Sequence, residues 1–448
     1  MLKYMKLLQD IEARIGNGTY KEGMKLPSIR RLAGEFGVTN TTIIRVLQEL
    51  EKRHLVYPVA KSGYYVIKSD AAEPARERER IDFVAASPDP AVFPYADFRH
   101  CINQAIDIYK NDLFVYGTPQ GLPSLLSVMV KLLADYQVFA KQRNLFVVSG
   151  VQQALALLAK MPFPNGGGTI AVEQPCYHLI IEQLETYGIP VAGIRRTASG
   201  IDLDELERLF RSGEIKFFYT IPRFHNPLGS SYRTDDKKKI VELAHKYGVY
   251  LVEDDYMADM EQDAKADPLY AYDGGSRVIY LKSFSKIIFP GLRLGIAVVP
   301  DELAPTFNRY KRIDDIDSSM LSQGALEIYV KSGMFARHKR KIRASYAKRS
   351  RLLQEALVRE SERCGGLFVF HPQTNPSVHT HIELHPRIKA PALAAKLLER
   401  SVVVEPIGRH YLKSFPQQNL LKLNVSNVRE ADIETGIRLL GEALRTFL

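Results

Sequence analysis

The chain is poor in cysteine, with three in 448 residues, and no long apolar run interrupts it. Cys101, Cys176 and Cys364 are odd in number and far apart, so they make neither a disulfide framework nor a metal knuckle. A cytoplasmic location without a metal centre is expected. No stretch reaches the roughly 18 apolar residues of a membrane span, so no membrane partner is expected. The start, MLKYMKLLQDIEARIG, lacks an apolar core followed by a small-residue cleavage site, and reads as a helix of the mature protein. Acid is scarce in one place. Residues 1–68 hold twelve Lys/Arg against six Asp/Glu, more than half of the net charge of +10. That concentration points to a polyanionic partner for the leading segment. The rest is ordinary for a globular protein, 46% hydrophobic and 25% charged, and long enough for two or three domains.

Within the leading segment, Met5, Leu8, Ile11 and Ile15 follow helical steps and predict one apolar stripe. Ser28 is placed to cap a second helix, SIRRLAGEF, which Gly37 ends. Thr39 is placed to cap a third, with Ile43, Val46, Leu47 and Leu50 facing inward. Two short helices joined by a tight turn form a helix-turn-helix, and LVYPVAKSGYYVI adds a hairpin with its tip at Lys61, Ser62 and Gly63. The second helix of such a motif enters the major groove by its N-terminus, which here carries Thr39, Asn40, Thr41 and Thr42, then Arg45 one turn on. Arg30 and Arg31 would lie near the phosphates, and Lys61 would reach phosphate or minor groove. A double-stranded DNA operator is the expected partner. The run MKLPSIRRLAGEFGVTNTTIIRVLQELEKRHLV resembles the winged helix-turn-helix of the GntR family of bacterial regulators. Asn40 stands where many relatives have Arg, so no operator sequence carries over.

Residues 69–80, SDAAEPARERER, have no apolar periodicity and a dense mix of charges, and read as a linker. Fully extended, twelve residues span at most about 40 Å. From residue 81 to 448 the pattern changes to short apolar runs that end in small or polar residues, LFVVSG, TIAVEQP, KFFYTIP, YLVEDD, VIYLKSFS and GIAVVP, most of them separated by helical segments. This predicts an α/β domain with a mostly parallel sheet covered on both faces. Ligands of such sheets gather at the carboxyl ends of the strands, where Ser149-Gly150, Glu173–Tyr177, Pro222–Asn226, Glu253–Tyr256 and Ser283–Lys286 fall.

A lysine among polar groups at a strand end is suited to a Schiff base with a carbonyl cofactor such as pyridoxal phosphate. That cofactor also needs a carboxylate on its ring nitrogen and an anion cradle for its phosphate. Asp254 lies thirty-two residues before Lys286 at another strand end, Ser283, Ser285 and Arg293 flank the lysine, and SGVQQAL opens a helix directly after a strand. Spacing leaves Asp254 and Asp255 both open for the carboxylate, since adjacent residues of a strand point opposite ways. SFSKIIFPGLRLG and VEDDYMADM resemble the lysine and aspartate motifs of fold type I aminotransferases. VSGVQQAL, VEQPCYHLI, IPRFHNPLG and VYGTPQGLPSL match in order, over residues 81–448. The resemblance implies a pyridoxal 5'-phosphate domain with Lys286 as the catalytic Schiff-base lysine and Asp254 on the ring nitrogen. It further implies Tyr256 and Asn226 on the ring oxygen and Tyr177 on the ring face. Ser149, Gly150, Val151, Ser283, Ser285 and Arg293 would hold the phosphate, and Tyr116 would reach a neighbouring subunit's phosphate in a homodimer. A GntR-type head on such a body is the arrangement of the MocR subfamily, of which the chain is identified as a member.

That identification implies a transcriptional regulator that senses an amine, an amino acid or a B6 vitamer. Relatives carry an arginine for the substrate carboxylate in a strand near the C-terminus, where LLKLNVS here places Lys422. Lysine lacks the planar fork of arginine, which favours sensing over efficient transamination. The alternatives are a working aminotransferase with a vestigial head, and a DNA binder whose body has lost the cofactor. Two other features read as structural: the basic run FARHKRKIRASYAKRSR at 335–351 as a solvated helix face, and NGGG at 165–168 as a turn.

Overall fold

The structure is a computed structural model that describes residues 2–21, 23–52, 55–59, 62–66, 80–263, 266–373, 375 and 377–447. The chain divides into two compact units, 1–79 and 80–448. The expected linker at 69–80 lies outside the described residues except for Arg80, as do Lys61 and its expected contact.

In the first unit, helix α1 (Leu2–Gly16), α2 (Ile29–Phe36) and α3 (Asn40–Lys52) precede a hairpin of β1 (Val56–Val59) and β2 (Gly63–Val66). Ser28 Oγ accepts from the backbone N–H of Arg31 at 3.3 Å, and Gly37 closes α2 at φ +60°, a conformation that favours glycine. Ile43, Val46, Leu47 and Leu50 are buried on α3 as their spacing predicts. On α1 the stripe is set one residue differently. Leu7, Leu8 and Ile11 are buried, with Tyr4 and Ile15 against them, whereas Met5 is exposed. The stripe Tyr4, Leu8, Ile11 and Ile15 keeps the same helical steps, and an aromatic covers more apolar surface than Met5 would.

The second unit is built on an eight-stranded sheet. Its strands are β3 (Leu145–Val148), β4 (Thr169–Gln174), β5 (Val191–Thr197), β6 (Gly200–Ile201), β7 (Ile215–Thr220), β8 (Tyr250–Asp254), β9 (Val278–Ser283) and β10 (Gly295–Val298), in the order β3-β10-β9-β8-β7-β4-β5-β6. The run from β9 to β5 is parallel, and its strands β9, β8 and β7 are buried at every position. Strand β10 is antiparallel to both of its neighbours, with Ser283 opposite Gly295. The connection of residues 284–294 is shorter than the dozen or more that a parallel crossover needs, so the chain turns back. Because β10 is reversed, β3 again points the same way as β9, and six strand ends face one edge.

A four-stranded antiparallel sheet follows: β11 (Phe368–Val369), β12 (His379–Leu384), β13 (Glu405–Pro406) and β14 (Leu420–Asn424), in the order β11-β12-β14-β13. The helices that matter below are α4 (Tyr95–Tyr109), α5 (Val151–Lys160) and α6 (Met334–Arg363). The basic run lies on α6 and is only partly a solvated face. Arg337, Arg340, Lys341, Lys348 and Arg351 are exposed. Within the same run His338 Nε2 lies 2.6 Å from the Ile287 carbonyl oxygen, and Arg349 Nη1 donates to the Ser426 carbonyl at 2.6 Å. The NGGG segment is a turn, with Asn165 Nδ2 donating to the carbonyls of Ile215 and Lys216 at 3.1 Å. Among the described residues no helix is long and apolar enough to cross a membrane, and no group of three or more His, Cys, Asp or Glu is arranged to hold a metal.

Replacing Ser28 by Ala removes the α2 cap and should cost about 1 kcal/mol. Amide hydrogen exchange of the full chain should read that loss in the first unit alone.

Candidate functional site

Five of these strand ends open into a cavity of about 340 Å³. Strand β3 delivers Gly150 and the start of α5, β4 delivers Tyr177, and β7 delivers Asn226. Strand β8 delivers Asp254 and Tyr256, and the loop after β9 delivers Ser283, Ser285, Lys286 and Arg293. Of the twelve residues expected around a cofactor, ten line this one space. Ser149 does not. Its N–H is taken by Gln153 Oε1 at 2.8 Å, and its hydroxyl by Asp315 and Ser318 at 3.0 and 3.2 Å. Only its carbonyl turns toward the site, accepting from Arg293 Nη2 at 3.0 Å. Tyr116 is also outside, 81% exposed on the surface.

The two carboxylates part as the pleat requires. Asp255 points away and is paired with Arg223, whose Nε lies 3.0 Å from Oδ1, and it accepts from Tyr280 at 2.8 Å. Asp254 points into the cavity without a cation. Its Oδ2 accepts from Tyr219 at 2.8 Å, and its buried Oδ1 has no partner among the described residues. Burial pushes its carboxyl up to about 7, against the hydrogen bond from Tyr219, and the nearby Asp255 adds to the rise. Asn226 Oδ1 is likewise buried without a partner. Tyr256 donates to the Phe224 carbonyl at 2.8 Å.

Opposite these acceptors lie cations. Lys286 Nζ donates to the Ala86 carbonyl at 2.5 Å, and burial, helped by Lys422, pulls its ammonium down to about 8. Arg293 sits at the mouth of α5. Gly150 caps that helix at φ +84°, and a Cβ there would come within 2.9 Å of Arg293 Nη2, so glycine is what lets the guanidinium reach the helix start. The first N–H groups of a helix have no partner within it and carry a partial positive charge, so helix and arginine together suit an anion. Tyr177 donates to Gln152 Oε1 at 3.2 Å, and burial pushes its hydroxyl up to about 12.

Lys422 lines the cavity, but its charge is matched, with Nζ 3.0 Å from Glu405 Oε2. Several lining residues escaped the sequence reading: Val84 and Ala86 from the segment that enters the domain, Gln152, His178 and Arg409. Helical spacing from Val151 could have shown Gln152. Nothing in EPIGRHYL marks Arg409, because its place depends on the fold of the small sheet.

In the first unit, Arg30, Arg31, Thr39, Asn40, Thr41 and Arg45 are exposed and Thr42 is half-buried. The Thr39 hydroxyl is occupied as a cap, 3.3 Å from the Thr42 N–H and 2.9 Å from the Thr42 hydroxyl. That leaves Asn40, Thr41 and Arg45 as the open polar groups of this face. Ile44, also exposed, shares it and was missed by the sequence reading. An apolar side chain there is suited to a thymine methyl group.

Comparison with known proteins agrees with both halves. Residues 92–440 match the family model "Aminotransferase class I and II", and residues 3–66 match "Bacterial regulatory proteins, gntR family". The chain is 56% identical to the HTH-type transcriptional regulator YcxD of Bacillus subtilis, itself uncharacterized, over 98% of this chain and 99% of that one. It is 25% identical to the probable rhizopine catabolism regulatory protein MocR of Rhizobium meliloti, over 98% and 93%. Among solved structures, it resembles the α-aminoadipate aminotransferase LysN of Thermus thermophilus, complexed with N-(5'-phosphopyridoxyl)-L-leucine (TM-score 0.74, 25% identity, 82% of this chain and 92% of that one). It also resembles the kynurenine aminotransferase of Pyrococcus horikoshii (TM-score 0.73, 26% identity, 83% and 92%).

Asp254 with its pKa raised to about 7 favours the protonated carboxyl in the ligand-free fold, so stability falls as pH climbs from the unfolded value near 4 toward 7. Asp254→Asn should therefore raise the thermal midpoint of the ligand-free chain by several degrees at pH 8 and change it little at pH 4. A constant offset at both values would show that the carboxylate is not what the site strains to hold.

Proposed function

The chain belongs to the aminotransferase class I and II family with a gntR-family head, the arrangement of MocR-type regulators, and from that premise we propose a transcriptional regulator that holds pyridoxal phosphate on Lys286 and reads a small amine or amino acid through it. The observation that carries the cofactor half is the convergence on one cavity of a half-buried lysine, an aspartate with an unsatisfied oxygen, and an arginine at a helix start. These residues fit the group. Asp254 Oδ1 lacks the donor that a protonated ring nitrogen would provide. Gly150, Val151, Ser283, Ser285 and Arg293 would hold the phosphate, with the Ser149 carbonyl steadying Arg293. Tyr177 would cover one ring face, and the ring oxygen would accept from Asn226 Nδ2 and from Tyr256 once its hydroxyl turns from the Phe224 carbonyl. Bound there, the cofactor supplies an aldehyde that condenses with amines.

The chain's own residues prepare that condensation. The lysine must be neutral to attack, and burial with Lys422 nearby brings its pKa down to about 8, so a useful fraction is neutral near pH 7. Asp254 would hold the ring proton once a cation faces it, and its own proton would then be released.

The head supplies the output. The exposed arginines Arg30 and Arg31 would hold phosphates, while Asn40, Thr41, Arg45 and Ile44 would read base edges. Two heads on a homodimer would read a two-part operator. Support for the dimer comes from large apolar residues left on the surface, Tyr95, Ile106 and Ile108 on α4 and Val115 and Tyr116 after it. Regulation then requires a ligand that binds one arrangement of the dimer better than another. The rival reading, a working aminotransferase with a vestigial head, requires rapid turnover of an amino acid with a keto acid and no sequence-specific DNA affinity.

Three measurements test this reading. Mixing the ligand-free chain with pyridoxal phosphate should give a visible absorbance band, and Lys286→Ala should abolish it with the circular dichroism unchanged; a band that persists would falsify the assignment. The rate of band formation should rise roughly tenfold per pH unit below about 8 and then level off, where a lysine at its usual value would keep climbing past 10. Operator binding should weaken steeply with salt, log K falling by about 0.9 per phosphate contact for each decade of salt. A flat response would mean that the head does not clamp the backbone.

A further inference from the structure

The pair at the expected effector position leaves one positive charge over. Lys422 and Glu405 face each other directly across the antiparallel pair β13–β14, and both are buried. Arg409, four residues after Glu405, donates Nε to the same carboxylate. His410 Nε2 lies 3.5 Å from it, but burial keeps His410 below its usual pKa, and His178 is pulled down to about 4 by burial and by Arg409. Near neutral pH two cations therefore share one anion. The exposed Glu182 lies on the outer side, in the neighbouring cleft.

The two cations differ in what they have free. Lys422 is a point charge, buried and turned to Glu405. Arg409 commits Nε, the inner edge of its fork, and keeps its two terminal nitrogens for a second planar acid. Its side chain is 54% exposed and lines the cavity beside Tyr177 and His178. We infer that Arg409 is the carboxylate grip of this cavity, and that Lys422 is its structural counterweight, holding Glu405 so that Glu405 can fix Arg409. The ligand class follows. One uncompensated positive charge beside a site for amine condensation suits an amino acid carrying a single carboxylate, and disfavours a simple amine. This rests on the reading above that the cavity holds pyridoxal phosphate on Lys286.

The test uses the smallest matched probes, so that side-chain fit plays no part: glycine, methylamine and acetate. In the cofactor-loaded chain, glycine should perturb the visible band at concentrations roughly tenfold to a hundredfold below methylamine, the range for a hydrogen-bonded charge pair. Arg409→Gln should bring that ratio close to one while methylamine is unaffected, and Arg409→Lys should restore part of it. Glu405→Gln, which keeps an oxygen to fix Arg409 Nε but removes the competing charge, should do the reverse and tighten glycine. Acetate, which cannot condense, should compete with glycine in the wild type and not in Arg409→Gln, and should raise the thermal midpoint of the cofactor-free chain only where Arg409 is present. An unchanged glycine-to-methylamine ratio in a folded Arg409→Gln protein overturns the inference, as does a glycine affinity that Glu405→Gln fails to improve. If no visible band forms in the wild type, the underlying cofactor reading fails first, and the acetate shift still decides the role of Arg409.

Discussion

The chain reverses between Ser283 and Gly295, and the cavity exists because of that reversal. A parallel crossover at this point would carry the chain away over a face of the sheet. The short return instead keeps Lys286 and Arg293 in one loop at the carboxyl end of β9, next to Asp254 at the end of β8. It also restores β3 to the common direction, which aims α5 and its free N–H groups at the same space. The loop is held from behind by α6, where His338 meets the Ile287 carbonyl and Tyr346 the Lys286 carbonyl at 3.4 Å. A run of sequence that looked like solvated charge is therefore also the backing of the lysine loop.

Charge explains why the lysine and the aspartate are separated from their usual partners. A cation beside Asp254 would satisfy Oδ1; Arg223 pairs instead with Asp255 on the far face, and among the described residues Asp254 Oδ1 has no partner. Near Lys286, an acid would raise its pKa; burial lowers it instead, helped by Lys422. Each group is thus shifted away from the protonation state a salt bridge would favour, and each is ready for a partner from outside the chain.

The strands and their polar ends were legible because a buried parallel strand is a continuous apolar run, and the run stops where the sheet stops. The caps at Ser28 and Thr39 and the inward face of α3 were legible for the same local reason. What local pattern could not show was any choice settled by a distant residue. The pleat says that Asp254 and Asp255 diverge, but which one meets the cavity is decided by Arg223, thirty-two residues before Asp255. Lys422 reads as a free cation until β14 pairs with β13 and brings Glu405 against it. Arg409 gains its place from that same pairing. Ser149 sits in the expected motif, yet its hydroxyl is claimed by Asp315 and Ser318 far along the chain.

The unsatisfied acceptors also constrain what the cavity can select. A buried polar atom without a partner costs about 1–3 kcal/mol, and Asp254 Oδ1 and Asn226 Oδ1 both carry that cost in the ligand-free fold. A ligand that brings a donor to each regains it, and an apolar ligand of the same size does not. The helix start and Arg293 line the same cavity and ask for an anion, and the lysine lines it with them. A molecule that carries a donor for Asp254, an acid group and a carbon that condenses with an amine meets all three demands. That is a narrower requirement than any one residue of the site imposes, and it is why the constellation, and not the lysine, carries the assignment.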